Sequence, residues 1–194
     1  MNFKIDISKL EAGDILICKS HSLLGWMIGE AFKVDSLLTW DGPSPLRPSG
    51  HNGIFGYDEH MEPVIFESLM FRGFTATPIS DYVKRVSAGD CEIKFARIPI
   101  GLTDQQQMQS RVWCLEHLKT PYDLRSYISF LWRIVLRLPP IWSSQDKAHF
   151  WCTEAVKNLY TFLDAGWEKI LPEYAAPIHI EQLINEQKLK LIDE

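Results

Sequence analysis

The sequence predicts an α+β fold in which a mostly antiparallel sheet packs against helices. Strand-like runs fill the first half of the chain and helical patterns the second, an order that belongs to this class. A length of 194 residues suits one well-buried domain, read as spanning 1–194. A hydrophobic share of 46% against 23% charged residues matches a soluble globular chain.

Asp14 to Cys18 follows Gly13 and reads as the first strand. Ser22 to Phe32 has helical spacing through Leu23, Met27 and Ala31. Residues 33–50 lose all periodicity and are dense in Pro, Gly and Ser, which predicts a loop inserted directly before His51. His51 to Phe55 and Val64 to Glu67 read as neighbouring strands, and Phe71 to Thr75 either continues the second or opens a third. Ile79 to Val86 is a short helix, and Cys91 to Ile98 alternates like a half-buried strand. Thr103, with Gln106 three positions on, forms a capping box for a helix with a stripe of Met108, Val112, Leu115 and Leu118. Ser126 to Leu138 is a second, more apolar helix. The next begins near Cys152 and carries Ala155, Val156, Leu159, Tyr160 and Leu163 on one face. Pro177 to Glu186 is a short helix, and Lys188 to Ile192 a final strand or tail.

A net charge of -5 leaves no basic excess, which argues against nucleic acid as a partner. The four cysteines, Cys18, Cys91, Cys114 and Cys152, are irregularly spaced without a CxxC pair, so reduced thiols are expected. The N-terminus has no basic start followed by an apolar stretch, so a cytoplasmic location is the default expectation.

Three short segments carry the chemistry: His51 in HNGIF, Glu67 in VIFES and Cys152 in HFWCTEAV. A thiol needs a base to become a thiolate, and the base needs a partner to fix its ring; these residues supply all three roles. A cysteine in the first turn of a helix is acidified by free backbone N–H groups and the helix dipole, and the same amides can receive an oxyanion. Each residue has a plainer alternative. Cys152 shares a stripe with Ala155, Val156 and Leu159, and by itself reads as core. His51 is one of six histidines, and Glu67 at a strand end can simply face solvent. Glu154, if turned toward the sulfur, would oppose a thiolate.

Taken together, LEAGDILIC at 10–18, HNGIF, VIFES, TPYD at 120–123, FWCTEAV at 150–156 and PIHIEQL at 177–183 resemble the circularly permuted branch of the NlpC-type papain-like hydrolases, related to the lecithin:retinol acyltransferase-like proteins. The resemblance covers roughly residues 10 to 185 and implies a papain-like core with the Cys helix near the C-terminus. It puts the nucleophile on Cys152, the base on His51 and the orienting residue on Glu67. It also places Gly13 and Asp14 in a turn shaping the floor of the site, Tyr122 before the Cys segment and Trp151 beside the nucleophile. Asp14, Tyr122 and Trp151 are therefore the expected substrate contacts. Asn52, Trp151, Thr153 and the segment 33–50 depart from the family pattern.

The expectation is a cysteine hydrolase or acyltransferase that cleaves an amide, peptide or lipid-acyl bond through a thioester on Cys152, with no metal and no organic cofactor. The rival is a catalytically inactive binding module, or a lipid-binding protein, on the same fold. The apolar stretch Tyr127 to Trp142, with Arg133 and Arg137, is broken by two prolines and is not read as a membrane span. It suits an acyl-chain pocket or peripheral lipid contact, or an ordinary buried helix with two snorkelling arginines.

Overall fold

The computed structural model describes residues 6–21, 49–124, 149–164, 171 and 177–192. Within these residues the chain is α+β. Strands β1 (Ile15–Ser20), β2 (His51–Tyr57), β3 (Pro63–Leu69) and β4 (Gly73–Pro78) are followed by helix α1 (Ile79–Ser87) and strand β5 (Cys91–Arg97). Helices α2 (Asp104–Glu116), α3 (Cys152–Phe162) and α4 (Pro177–Asn185) come next, then the two-residue strand β6 (Lys190–Leu191). The expected helices at 22–32 and 126–138, and nearly all of the 33–50 loop, lie outside the described residues.

The strands form one antiparallel sheet in the order β4-β3-β2-β1-β5-β6. β1 is central, which explains its unbroken apolar run: a strand covered on both faces has no solvent side to mark with polar residues. Ile15 and Ile17 face one core with Ile54, Phe66, Phe74 and the buried side of α2, α3 and α4. Leu16 and Cys18 face a second core with Phe55, Ile65, Phe95 and the α1 residues Ile79 and Tyr82.

Local chemistry sets the connections. In the β2–β3 turn the Asp58 carboxylate accepts the N–H groups of His60 and Glu62, both at 2.9 Å. The Thr103–Gln106 capping box opens α2 as the spacing predicts. The face of α2 differs from the expected stripe, however. Met108 is 70% exposed and Val112 45%, while Ser110, Trp113 and Cys114 are buried. Trp113 decides the rotation, because its ring packs against Phe74 and Phe150 and turns the weaker aliphatic stripe outward.

Among the described residues no helix is long and apolar enough to cross a membrane.

The segment leading toward the cysteine helix is docked on the start of β4. Phe74 N–H donates to the Thr120 carbonyl at 2.7 Å, and Lys119 N–H donates to the Phe74 carbonyl at 2.8 Å. Gly73 makes this docking possible: it holds φ +70, and a Cβ there would lie 2.3 Å from the Thr120 carbonyl oxygen. We expect Gly73→Ala to destabilise by more than the ~1–2 kcal/mol that a left-handed backbone alone costs. Gly89 is the control, at φ +78 with nothing within 4 Å of an added Cβ. Urea denaturation of both variants should show the larger loss at Gly73; equal losses would mean that the docking is slack.

Candidate active site

β2 starts at His51, whose cross-strand partner on β1 is Cys18. On its other side β2 pairs with β3, Ile54 opposite Phe66, and continuing that register puts Glu67 opposite Gly53. Strand side chains alternate between faces, so His51, Gly53 and Glu67 share one face. Gly53 leaves the space between them clear: a Cβ there would come within 2.5 Å of Ile65 Cγ2 and 3.5 Å of Glu67 Cβ. His51 Nε2 and Glu67 Oε2 are 2.5 Å apart. Glu67 is 2% exposed, so the alternative of a solvent-facing strand end does not hold.

The opposite face of the same strands carries the cysteine helix, since α3 packs mainly on β2 and β3. Three attachments set where it begins. The Ser68 hydroxyl donates to the Phe150 carbonyl at 2.5 Å. Thr153 Oγ1 donates to Asn52 Oδ1 at 3.1 Å, while Asn52 Nδ2 donates to the Leu16 carbonyl at 3.2 Å. The Phe150 ring is held by Phe74, Trp113 and His117, with centroids 5.5–5.8 Å away. His51 is the terminal residue of β2. At that strand end its ring bonds Glu67 on its own face and lies close enough to Cys152 for each group to shift the other's acidity. With Nε2 committed to Glu67, Nδ1 is the nitrogen left for the sulfur.

Electrostatics follow from this packing. Burial pushes the Cys152 thiol up, but the hydrogen bond and charge of His51, the Asn52 backbone N–H and the Thr153 hydroxyl outweigh it and hold the thiol below its ordinary range. Burial lowers the basicity of His51, yet its bonds to Cys152 and Glu67 raise it overall to about 10. Burial likewise raises Glu67, and His51, Thr77 and Tyr82 bring its carboxyl below the usual value. The three groups therefore favour a thiolate–imidazolium pair backed by a carboxylate. The Glu154 carboxylate turns back to accept the Trp151 N–H at 3.4 Å and serves the helix start.

The expected substrate contacts divide. Trp151 immediately precedes Cys152 and is buried, at 2% exposure. Tyr122 is half-buried and follows Pro121, whose carbonyl accepts the Phe150 N–H, so it borders the approach to α3. Asp14 lies further along the sheet. It bonds backbone to backbone with Phe55, four residues along β2 from His51, a distance of roughly 13 Å. Its carboxylate accepts Arg97 Nε and Nη2, each at 2.7 Å, and the Glu11 N–H at 2.7 Å. Asp14 is an anchor for the turn and for β5, since a bidentate Arg97 uses up its oxygens.

Sequence reasoning missed Tyr82, whose hydroxyl donates to Glu67 Oε2 at 2.7 Å. A polar aromatic in an otherwise apolar helix face was the available signal. Asn52 and Thr153, singled out separately in the sequence, are each other's partners.

No protein-family model and no curated protein matches this sequence. A solved structure does resemble it: the crystal structure of metalloprotein YiiX from Escherichia coli O157:H7, described as DUF1105. The TM-score is 0.55 at 18% identity, covering 92% of this chain and 82% of that one. At that identity the likeness speaks to the fold.

Two outcomes are expected. Peptide-resolved alkylation should show Cys152 reacting at pH values where an ordinary thiol is protonated, at least about tenfold faster than Cys114, whose thiol burial pushes up. His51→Ala should return Cys152 to ordinary thiol behaviour, and an unchanged profile would dissociate the two residues. Tyr82→Phe should cost about 1.5–3 kcal/mol where Glu67 is ionised. The folded pKa of Glu67 is depressed, so this stabilisation is present above its unfolded value of 4.5 and lost as pH falls through the folded one. The penalty, read from urea unfolding at several pH values, should therefore shrink in acid.

Proposed function

We propose that this chain is a cysteine hydrolase or acyltransferase of the permuted NlpC-type papain-like kind, acting on an amide, peptide or acyl bond. The observation that carries the reading is His51, which pairs with a buried carboxylate and lies close enough to a cysteine in the first turn of a helix for each to shift the other's acidity. The order of elements supports it too: the strand after Gly13 and the His strand come first, and the Cys helix packs back onto them from near the C-terminus.

In this reading the Cys152 thiolate attacks the carbonyl carbon of the substrate. Negative charge gathers on the carbonyl oxygen and is received by first-turn amides of α3, which lack intrahelical partners because the first such bond runs from Ala155 N–H to the Trp151 carbonyl. The imidazolium of His51 protonates the leaving group, giving a thioester. Neutral His51 then takes a proton from water or another acceptor nucleophile, which attacks the thioester and frees Cys152. Glu67 keeps the ring aligned and stabilises its charge, and Tyr82 and Thr77 hold Glu67 ionised.

The structural neighbour is named a metalloprotein. Among the described residues of this chain no cluster of three or more His, Cys, Asp or Glu side chains is arranged to hold a metal ion.

The test is turnover of a panel of activated esters, peptide amides and phospholipids, with mass spectrometry to trap the acyl group on Cys152. Cys152→Ala should abolish turnover, His51→Ala should lower it by about 10²–10⁴-fold, and Glu67→Gln should be milder. The rate should rise through the depressed pKa of Cys152 and fall as His51 loses its proton near 10. If no substrate acylates Cys152 and Cys152→Ala keeps full biological activity, the chain is a binding module on this fold instead.

A further inference from the structure

A second pair of sulfurs lies behind the candidate site and takes no part in the chemistry above. Cys18 on β1 and Cys91 on β5 sit on adjacent antiparallel strands, with Cys18 opposite Ile93 and Cys91 opposite Ser20. They are diagonal neighbours on one face, both free and both within the second core. Each sulfur is close enough to shift the acidity of the other. Cys18 is also the cross-strand partner of His51, so the pair is one strand removed from the proposed base.

The two sulfurs are not equivalent. Cys91 is the first residue of β5, at the end of the sheet beside exposed Arg85 and His21, while Cys18 lies one pair deeper. Contact with Cys18, with Arg85 and His21 assisting against burial, brings Cys91 down to about 7. The same contact, together with burial, pushes Cys18 up. Both directions make Cys91 the readier of the two to lose its proton, and each residue is 2% exposed.

We propose that Cys18 and Cys91 are a redox-active pair that closes to a reversible disulfide when the folded protein meets a hydroperoxide. The Cys91 thiolate attacks one peroxide oxygen; an S–O bond forms, the O–O bond breaks, and the departing hydroxide takes up a proton as water. Cys18 then attacks the Cys91 sulfenic sulfur; an S–S bond forms, the S–O bond breaks, and the released hydroxide leaves with the Cys18 proton as a second water. Two thiols and one peroxide become one disulfide and two waters, the sulfurs losing the two electrons that the peroxide gains. Diagonal neighbours lie about 7–8 Å apart at Cα, beyond the roughly 4.4–6.8 Å of an unstrained disulfide, so closing the bond requires the backbone to move. The bond draws β1 and β5 together and is correspondingly easy to reduce.

The experiment exposes the native wild-type protein to hydrogen peroxide at neutral pH, blocks remaining thiols, and digests it without reductant for mass spectrometry. The expected result is a linked peptide pair containing Cys18 and Cys91 that disappears with dithiothreitol, while Cys114 stays a free thiol. In Cys18→Ser, Cys91 should stop at the sulfenic acid and be captured by dimedone. The proposal is overturned if both residues remain alkylatable after peroxide, or if the link forms only in denaturant. It is overturned equally if Cys91 is driven to higher oxides without any link in the wild type. The result is independent of the hydrolase reading, which the alkylation and acylation of Cys152 test separately.

Discussion

A carboxylate held ionised inside the sheet is the constraint on which this site depends. Glu67 is 2% exposed, and an unpaired charge at that depth would cost several kcal/mol. Removing the charge by protonation would be the simple solution, yet the groups around it work against that. His51 and Tyr82 both bond to Oε2, and Thr77 on the neighbouring strand also favours the ionised form. The compensation comes from three different elements: the start of β2, helix α1 and strand β4. Satisfying Glu67 therefore binds α1 to the sheet and fixes the His51 ring in one act. The imidazole that neutralises Glu67 is then already oriented to stabilise a thiolate.

The sheet divides the labour between its faces. Successive residues of β2 point to opposite sides, so His51 belongs to the face of Glu67 and Tyr82 while Asn52 belongs to the face of α3. Adjacent residues in sequence can in this way hold both halves of the site: one carries the imidazole and the next grips the helix that carries Cys152. Ser68 repeats the pattern beside Glu67 by anchoring the Phe150 carbonyl. A slip of one residue in the β2–β3 register would exchange these roles and break both. Behind the pair, α4 secures the entry to β2, since the Ser49 N–H donates to the buried Glu181 carboxylate. Lys19 lies 3.8 Å from that carboxylate.

Departures from a familiar pattern gain a physical meaning here. An asparagine buried at position 52 would be costly alone, because its amide needs partners on both ends. Thr153 and the Leu16 carbonyl supply them. The two substitutions read as separate oddities in the sequence and as one hydrogen-bonded contact in the fold. Asp14 teaches the reverse. It sits in a motif that suggests the site, but Arg97 takes both of its oxygens at the far end of the strand.

The sequence by itself determined the α+β class and most strand and helix positions among the described residues, since these follow from local periodicity and capping. The aliphatic periodicity of α2 misled, because a hydrophobic stripe shows that a helix is amphipathic while the packing of one large ring, Trp113, decides which side is buried. Only the tertiary structure decided that Glu67 is buried rather than exposed, that Tyr82 supports it, and that Asp14 is remote. Each of these depends on strand order and register, which bring together residues such as Glu67 and Tyr82, 15 positions apart, and Asn52 and Thr153, 101 apart. No local pattern encodes such pairings, because the free energy that selects them comes from filling two cores and satisfying every buried polar group at once.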